Sequence, residues 1–144
     1  MKNKFISVIS IVICGFSMLV AQPENTKSAG PEYYRAAVQA GGFLFVAGQN
    51  AQKSDEVLTE PIAGQTEAAL KLIAETLKQH GYSFNDVVSV DVFLAKQSDF
   101  ADFNIAYHKY FPNRPARSTS LGVLHQDKGA LVEISLVAYK ADAN

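Results

Sequence analysis

The sequence predicts a single α+β domain, a mixed β-sheet with two helices packed on one face. Three observations predict it. The periodicities follow the order β-β-α-β-α-β-β. The two helical segments are separated by only one strand-like run, with strand pairs at both ends of the chain. The strand-like runs carry apolar residues on both alternating faces, yet two helices on one side can cover only one of them. The second face therefore calls for another subunit.

The elements follow in chain order. Met1 to Ala21 reads as a signal peptide: Lys2 and Lys4 form a positive start, Phe5 to Val20 is largely apolar, and Ala21 precedes a polar segment. Gln22 to Gly30 reads as a flexible leader and residues 31–144 as the domain. Tyr34 to Gln39 and Phe43 to Ala47 predict two strands about the turn Ala40-Gly41-Gly42. Pro61 suits the first turn of a helix whose stripe is Thr66, Ala69, Leu70, Ile73 and Leu77, and which Gly81 stops. Val87 to Ala95 predicts a strand with Val88, Val90, Val92 and Leu94 on one face. Ser98 is the expected N-cap of a second helix with Phe100, Phe103, Tyr107 and Tyr110 or Phe111 as its stripe, ended by Pro112. Arg117 to Leu124 and Leu131 to Tyr139 predict the last two strands. In the latter, Val132, Ile134, Leu136 and Ala138 oppose Leu131, Glu133, Ser135, Val137 and Tyr139.

Composition excludes several chemistries. Loss of Lys2 and Lys4 with the signal reduces thirteen basic residues to eleven, against fourteen acidic ones. The domain is then acidic and has no basic run, unlike a general nucleic-acid binder. The only cysteine, Cys14, falls in the predicted signal behind Ile13, too large for a lipoprotein cleavage site. The remaining chain has no thiol for a disulfide, a nucleophile or a metal. His80, His108 and His125 are scattered over a helix end, a helix and a loop, so no metal site is expected. There is no phosphate-binding loop, dinucleotide fingerprint or nucleophile elbow.

One pair stands out. Glu133 places a carboxylate in the apolar run Leu131-Val132-Glu133-Ile134, where charge is costly unless paired or used. Arg117 opens what reads as the adjacent strand. Together they form either a structural ion pair closing a strand end, or a carboxylate-binding fork beside an acid/base group.

The segments Gly30-Pro31 with Tyr33-Tyr34, Val46-Ala47-Gly48-Gln49, Asp91-Val92-Phe93-Leu94, Asp99-Phe100 with Asn104 and Tyr107, Pro115-Ala116-Arg117-Ser118 and Leu131-Val132-Glu133-Ile134 resemble, in order and spacing, the RidA (YjgF) family. The resemblance spans about Gly30 to Ala141. It implies a chorismate-mutase-like fold and a homotrimer with three clefts between subunits. It also implies hydrolytic deamination of small 2-imino or 2-enamino acids, of the 2-aminoacrylate type, to 2-oxo acids without a cofactor. By the same resemblance, Arg117 binds the substrate carboxylate and Glu133 positions water and handles the proton. Tyr34 closes the cleft from a neighbouring subunit, or serves only as interface packing. Asn104 supports the site, and Gly48 lets backbone approach the ligand. Thr119 stands where many members have cysteine, which leaves a hydroxyl in the cleft and excludes a thiol mechanism. Ala47 replaces a serine of the active deaminases, and Ser120 a large apolar residue.

Two other readings stay open: a non-catalytic module that binds small carboxylate metabolites in the same cleft, and an endoribonuclease, a label some relatives carry. The predicted signal peptide implies a periplasmic or secreted protein with no stable membrane association once it is cleaved.

Overall fold

The computed structural model describes residues 35–52, 57–111, 113–122 and 128–141. The predicted signal peptide, the leader and Tyr34 lie outside the described residues. Five strands and two helices follow the predicted order: β1 (Ala37–Ala40), β2 (Phe43–Gln49), α1 (Ile62–Gln79), β3 (Val87–Leu94), α2 (Phe100–Tyr107), β4 (Ala116–Leu121) and β5 (Val132–Tyr139). Short 3₁₀ turns at Phe84–Asp86 and Gln97–Asp99 lead into β3 and α2.

The sheet order is β1-β2-β5-β3-β4, with only β3 and β4 parallel. Strands β2 and β3 each run antiparallel to β5, so they are parallel to each other with β5 inserted between them. The crossovers β2-α1-β3 and β3-α2-β4 therefore step across the sheet in the same direction. With the near-universal right-handed sense of such crossovers, both helices must land on the same face. They do: Ala69, Leu70, Ile73 and Leu77 of α1 and Phe103 and Tyr107 of α2 share one core with Leu44, Val90, Val92, Val132, Ile134 and Ala138 of the sheet.

The opposite face has no helix. Val38, Phe43, Phe45, Phe93 and Tyr139 remain exposed there, between 39% and 48% of their surface. Phe43 stacks obliquely on Tyr139 with ring centres 4.7 Å apart. So large a patch of aromatic surface marks an interaction face.

Two turns rest on glycine. Gly41 turns β1 into β2 at φ 56°, and Gly81 ends α1 at φ 79°. At the second, Tyr82 N–H bonds Leu77 O and Gly81 N–H bonds Lys78 O, the paired bonds of a Schellman motif. Inside the fold, buried Gln65 ties α1 to the segment before β5. Its amide donates to Glu60 O and Gly129 O and its carbonyl accepts from Leu131 N–H, at 2.9 to 3.0 Å.

The structure corrects four expectations. Val88 does not share a face with Val90, because a register shift between Val87 and Ser89 inserts one residue; Val87 is buried and Val88 exposed. Ser98 does not cap α2. The 3₁₀ turn runs straight into the helix, Asp99 takes the cap position, and the Ser98 hydroxyl bonds the Asp99 carboxylate instead, at 3.3 Å. The helix α2 ends at Tyr107, although Phe111 beyond it is still buried, stacked on Tyr107 at 4.3 Å. Finally, β4 neighbours β3 and not β5, so Arg117 and Glu133 do not lie on adjacent strands.

Candidate functional site

Strand register decides where each candidate side chain points. Arg117 is paired with Val90, which is fully buried under the helices. Paired residues in a sheet project to the same side. Arg117 therefore reaches up from the edge strand to α2. Its guanidinium lies 4.8 Å from the Tyr107 ring centre, 5.7 Å from Phe103 and 5.9 Å from Phe100. One terminal nitrogen donates to Asn104 Oδ1 at 2.8 Å. Aromatic faces favour a cation within about 6 Å, so the guanidinium is held from three sides by rings and from one by an amide. A guanidinium has five N–H donors, and Asn104 occupies only part of the fork. Thr119, paired with Val92, projects to this same side and is half-buried.

Beside the guanidinium lies an open cleft of about 480 Å³ lined by Tyr107, His108, Phe111, Arg114, Pro115 and Arg117. Tyr107 was legible as a stripe residue and as part of the resemblance, with no role at the site assigned to it. Its spacing of three from Asn104 and four from Phe103 puts all three on the helix face above Arg117. The Tyr107 hydroxyl is buried without a hydrogen-bond partner. Burial pushes this phenol up to about 12, partly opposed by the Arg117 charge.

Glu133 belongs to a different surface. It is paired with Phe93 on the helix-free face, three residues along β3 from Val90 and so of opposite parity. Gly48 lies beside it. A Cβ at Gly48 would collide with the Glu133 carboxylate. A register shift between Val46 and Gln49 puts this glycine there. The resemblance suggested backbone close to a ligand at Gly48; the structure adds a side-chain reason, since only glycine leaves room for the carboxylate. Arg117 and Glu133 lie on opposite faces of the sheet and form no ion pair within one protomer.

The expected residues thus fall into two sets. Asn104, on α2, and Arg117 and Thr119 beneath it lie at one edge, and Gly48 and Glu133 lie on the open face. Tyr34, the sixth, lies outside the described residues. Ser118 and Asp91 add a polar pair on the open face, hydroxyl to carboxylate at 2.6 Å, which the sequence reading missed. Their alternation on two neighbouring strands was visible, but not that the strands were neighbours.

Comparison with known proteins gives consistent matches. The family described as Endoribonuclease L-PSP matches residues 25–140. A RutC family protein of Pyrococcus horikoshii is 41% identical over 117 residues, covering 79% of this chain and 90% of that one. A 2-iminobutanoate/2-iminopropanoate deaminase of Dermatophagoides farinae is 30% identical over 122 residues, covering 83% and 93%. The crystal structure of RidA from an Antarctic Psychrobacter superposes with a TM-score of 0.68 at 30% identity, covering 79% of this chain and 92% of that one.

Proposed function

The chain belongs to the RidA (YjgF, Endoribonuclease L-PSP) family, and from that premise we propose that it hydrolyses small 2-imino and 2-enamino acids to 2-oxo acids and ammonia. The observation that carries the reading is Arg117. Its guanidinium is fixed by Asn104 and three aromatic rings, and it lines an open cleft wide enough for a small acid. This is a preorganised dock for a carboxylate, and its planar fork suits two parallel hydrogen bonds.

The reaction needs an acid/base group as well, and Glu133 faces away from Arg117 in its own protomer. The two meet only if one protomer's edge, with Arg117, Asn104 and Thr119, abuts the next protomer's open face, with Glu133 and Gly48. A homotrimer built head to tail repeats that junction three times. Burial of Phe43, Phe45, Phe93 and Tyr139 would supply the driving force.

In the composite cleft the substrate carboxylate docks on Arg117. The enamine takes a proton at its terminal carbon and becomes the iminium. Water, oriented by Glu133, adds to the iminium carbon that bears the nitrogen and passes a proton to the Glu133 carboxylate. The resulting carbinolamine collapses: its hydroxyl becomes the carbonyl, the carbon–nitrogen bond breaks, and Glu133 returns the proton so that ammonia leaves. General acid–base help of this kind is worth about 100- to 10,000-fold. No cofactor takes part. The reading gains support from the named deaminase relative.

The test is ammonia release from freshly generated 2-aminoacrylate by Arg117→Ala, Glu133→Gln and trimers reassembled from equal parts of both. Each variant alone is expected to lose at least 100-fold. Random reassembly through a heterologous junction should restore about a quarter of the clefts. Hydrolysis by Arg117→Ala at the wild-type rate would end the deaminase reading, and failure of the mixture to recover would place the site within one protomer.

A second reading has its own support: Ala47 and Thr119 replace the hydroxyl and thiol of active relatives, as they would in a protein that binds small carboxylates without turnover. Calorimetry with 2-oxobutyrate alongside the hydrolysis assay separates the two. RNA cleavage that survived rigorous repurification would favour the endoribonuclease reading instead. We also propose export, from Lys2, Lys4 and the apolar run Phe5 to Val20; a mature N-terminus at Gln22 would establish it.

A further inference from the structure

The cleft beside Arg117 carries more positive charge than one carboxylate needs. Its lining includes two guanidiniums, Arg114 and Arg117, and the His108 imidazole, with no carboxylate among the six residues. Arg117 is already engaged by Asn104 and by aromatic rings, whereas the Arg114 side chain makes no ion pair or hydrogen bond among the described residues.

The backbone at Arg114 is also unusual. It is the only described residue other than glycine with positive φ, at 44°. It immediately precedes Pro115, and a residue before proline is normally driven to extended backbone. A left-handed, non-glycine residue persists only where its surroundings hold it there. Here the neighbouring Asn113 amide donates to Asn85 O at 3.2 Å, and Pro115 fixes the chain on the other side. Such positions cluster at ligand clamps. This turn puts Arg114 in the cleft wall just ahead of β4, on which Arg117 is the second residue.

We propose that Arg114 is a specificity residue for a second anionic group, so that the preferred substrates are 2-imino acids carrying a side-chain carboxylate. Arg117 takes the carboxylate next to the reacting carbon and Arg114 takes the distal one, with His108 at the same wall. This rests on the proposed docking of the substrate carboxylate at Arg117. The apolar floor of Tyr107, Phe111 and Pro115 accommodates the methylenes between the two charges.

The experiment is calorimetry on the full assembly with stable product analogues, 2-oxobutyrate with one carboxylate and 2-oxoglutarate with two. Wild type is expected to bind 2-oxoglutarate about tenfold more tightly, the usual scale of one charge-assisted hydrogen bond. Arg114→Asn suits the left-handed backbone, since asparagine tolerates it, and should remove the preference, lowering 2-oxoglutarate affinity by more than 2-oxobutyrate affinity. Arg114→Lys should keep part of it. Equal affinity of wild type for the two acids, or a preference that survives in Arg114→Asn, overturns the inference and leaves the Arg117 dock standing. Loss of 2-oxobutyrate binding in Arg117→Ala, measured in the same series, reports on that dock separately. If Arg114→Asn dissociates the assembly by light scattering, Arg114 is an interface residue and the inference is wrong.

Discussion

Strands β4 and β5 carry the two charged groups of the proposed site, and they differ in what lies above them. On β4, Arg117 sits beneath a helix, with its charge spread over three rings and one amide. On β5, Glu133 stands on a bare sheet face, over the backbone of Gly48, among exposed aromatic side chains. The first group is finished within one protomer and needs only a ligand. The second is not, because its surroundings are those of a surface that expects to be covered. On the proposed reading, the contrast means that substrate binding is prepared in the monomer and proton handling is left to assembly.

The comparison can be broken most completely at the open face. Phe45→Asp puts a charge where the apolar patch must be buried. The expected outcome is a monomer by light scattering and loss of hydrolysis, while 2-oxobutyrate still binds weakly at Arg117. A fully active monomer would show that the bare face has no part in the site. Gly48→Val comes next. The new side chain collides with the Glu133 carboxylate, so a fall of at least 100-fold in kcat is expected with KM nearly unchanged. An equal change in both constants would mean that Gly48 touches substrate instead.

Asn104→Leu tests the other half. Without the amide, the guanidinium loses one hydrogen bond and its fixed orientation, and KM should rise about tenfold with kcat kept. Tyr107→Phe sharpens the comparison with the smallest effect. It removes a hydroxyl that has no partner, so thermal stability should stay level or rise slightly. Its signature is spectroscopic. Burial favours the neutral phenol, so this residue contributes stability that is fully present below pH 10 and is lost as pH rises toward 12. Absorbance titration of the phenols should show a late-ionising component, near pH 12, that is lost in the variant.

Much of the fold was legible because period two and period 3.6 are written locally. The stripes of α1 and β5 could be read residue by residue, and so could the stop at Gly81. What failed to show is whatever depends on a distant partner. Nothing near Val87 announces the extra residue that turns Val88 outward, since a bulge is defined against β5. Nothing near Arg117 says that its strand sits beside β3. The sequence therefore put Arg117 and Glu133 side by side when they lie on opposite faces, two strands apart. Arg117 and Glu133 stood out by pattern and the other site residues through resemblance; their division between two surfaces came only from register. Arg114 was invisible for another reason: an arginine before proline is ordinary in composition, and only its backbone angle sets it apart.

The placement of β5 has a consequence for biosynthesis. The last strand to leave the ribosome is the middle strand of the sheet, flanked by β2 and β3, both made long before. Until Val132–Tyr139 emerges, those two have no shared neighbour, and the nascent chain can form helices but not its central ladder. A chain lacking β5 would leave the aromatic strands β2 and β3 without their shared partner and prone to clump. Completion of the sheet thus waits on β5, however much of the chain has already folded.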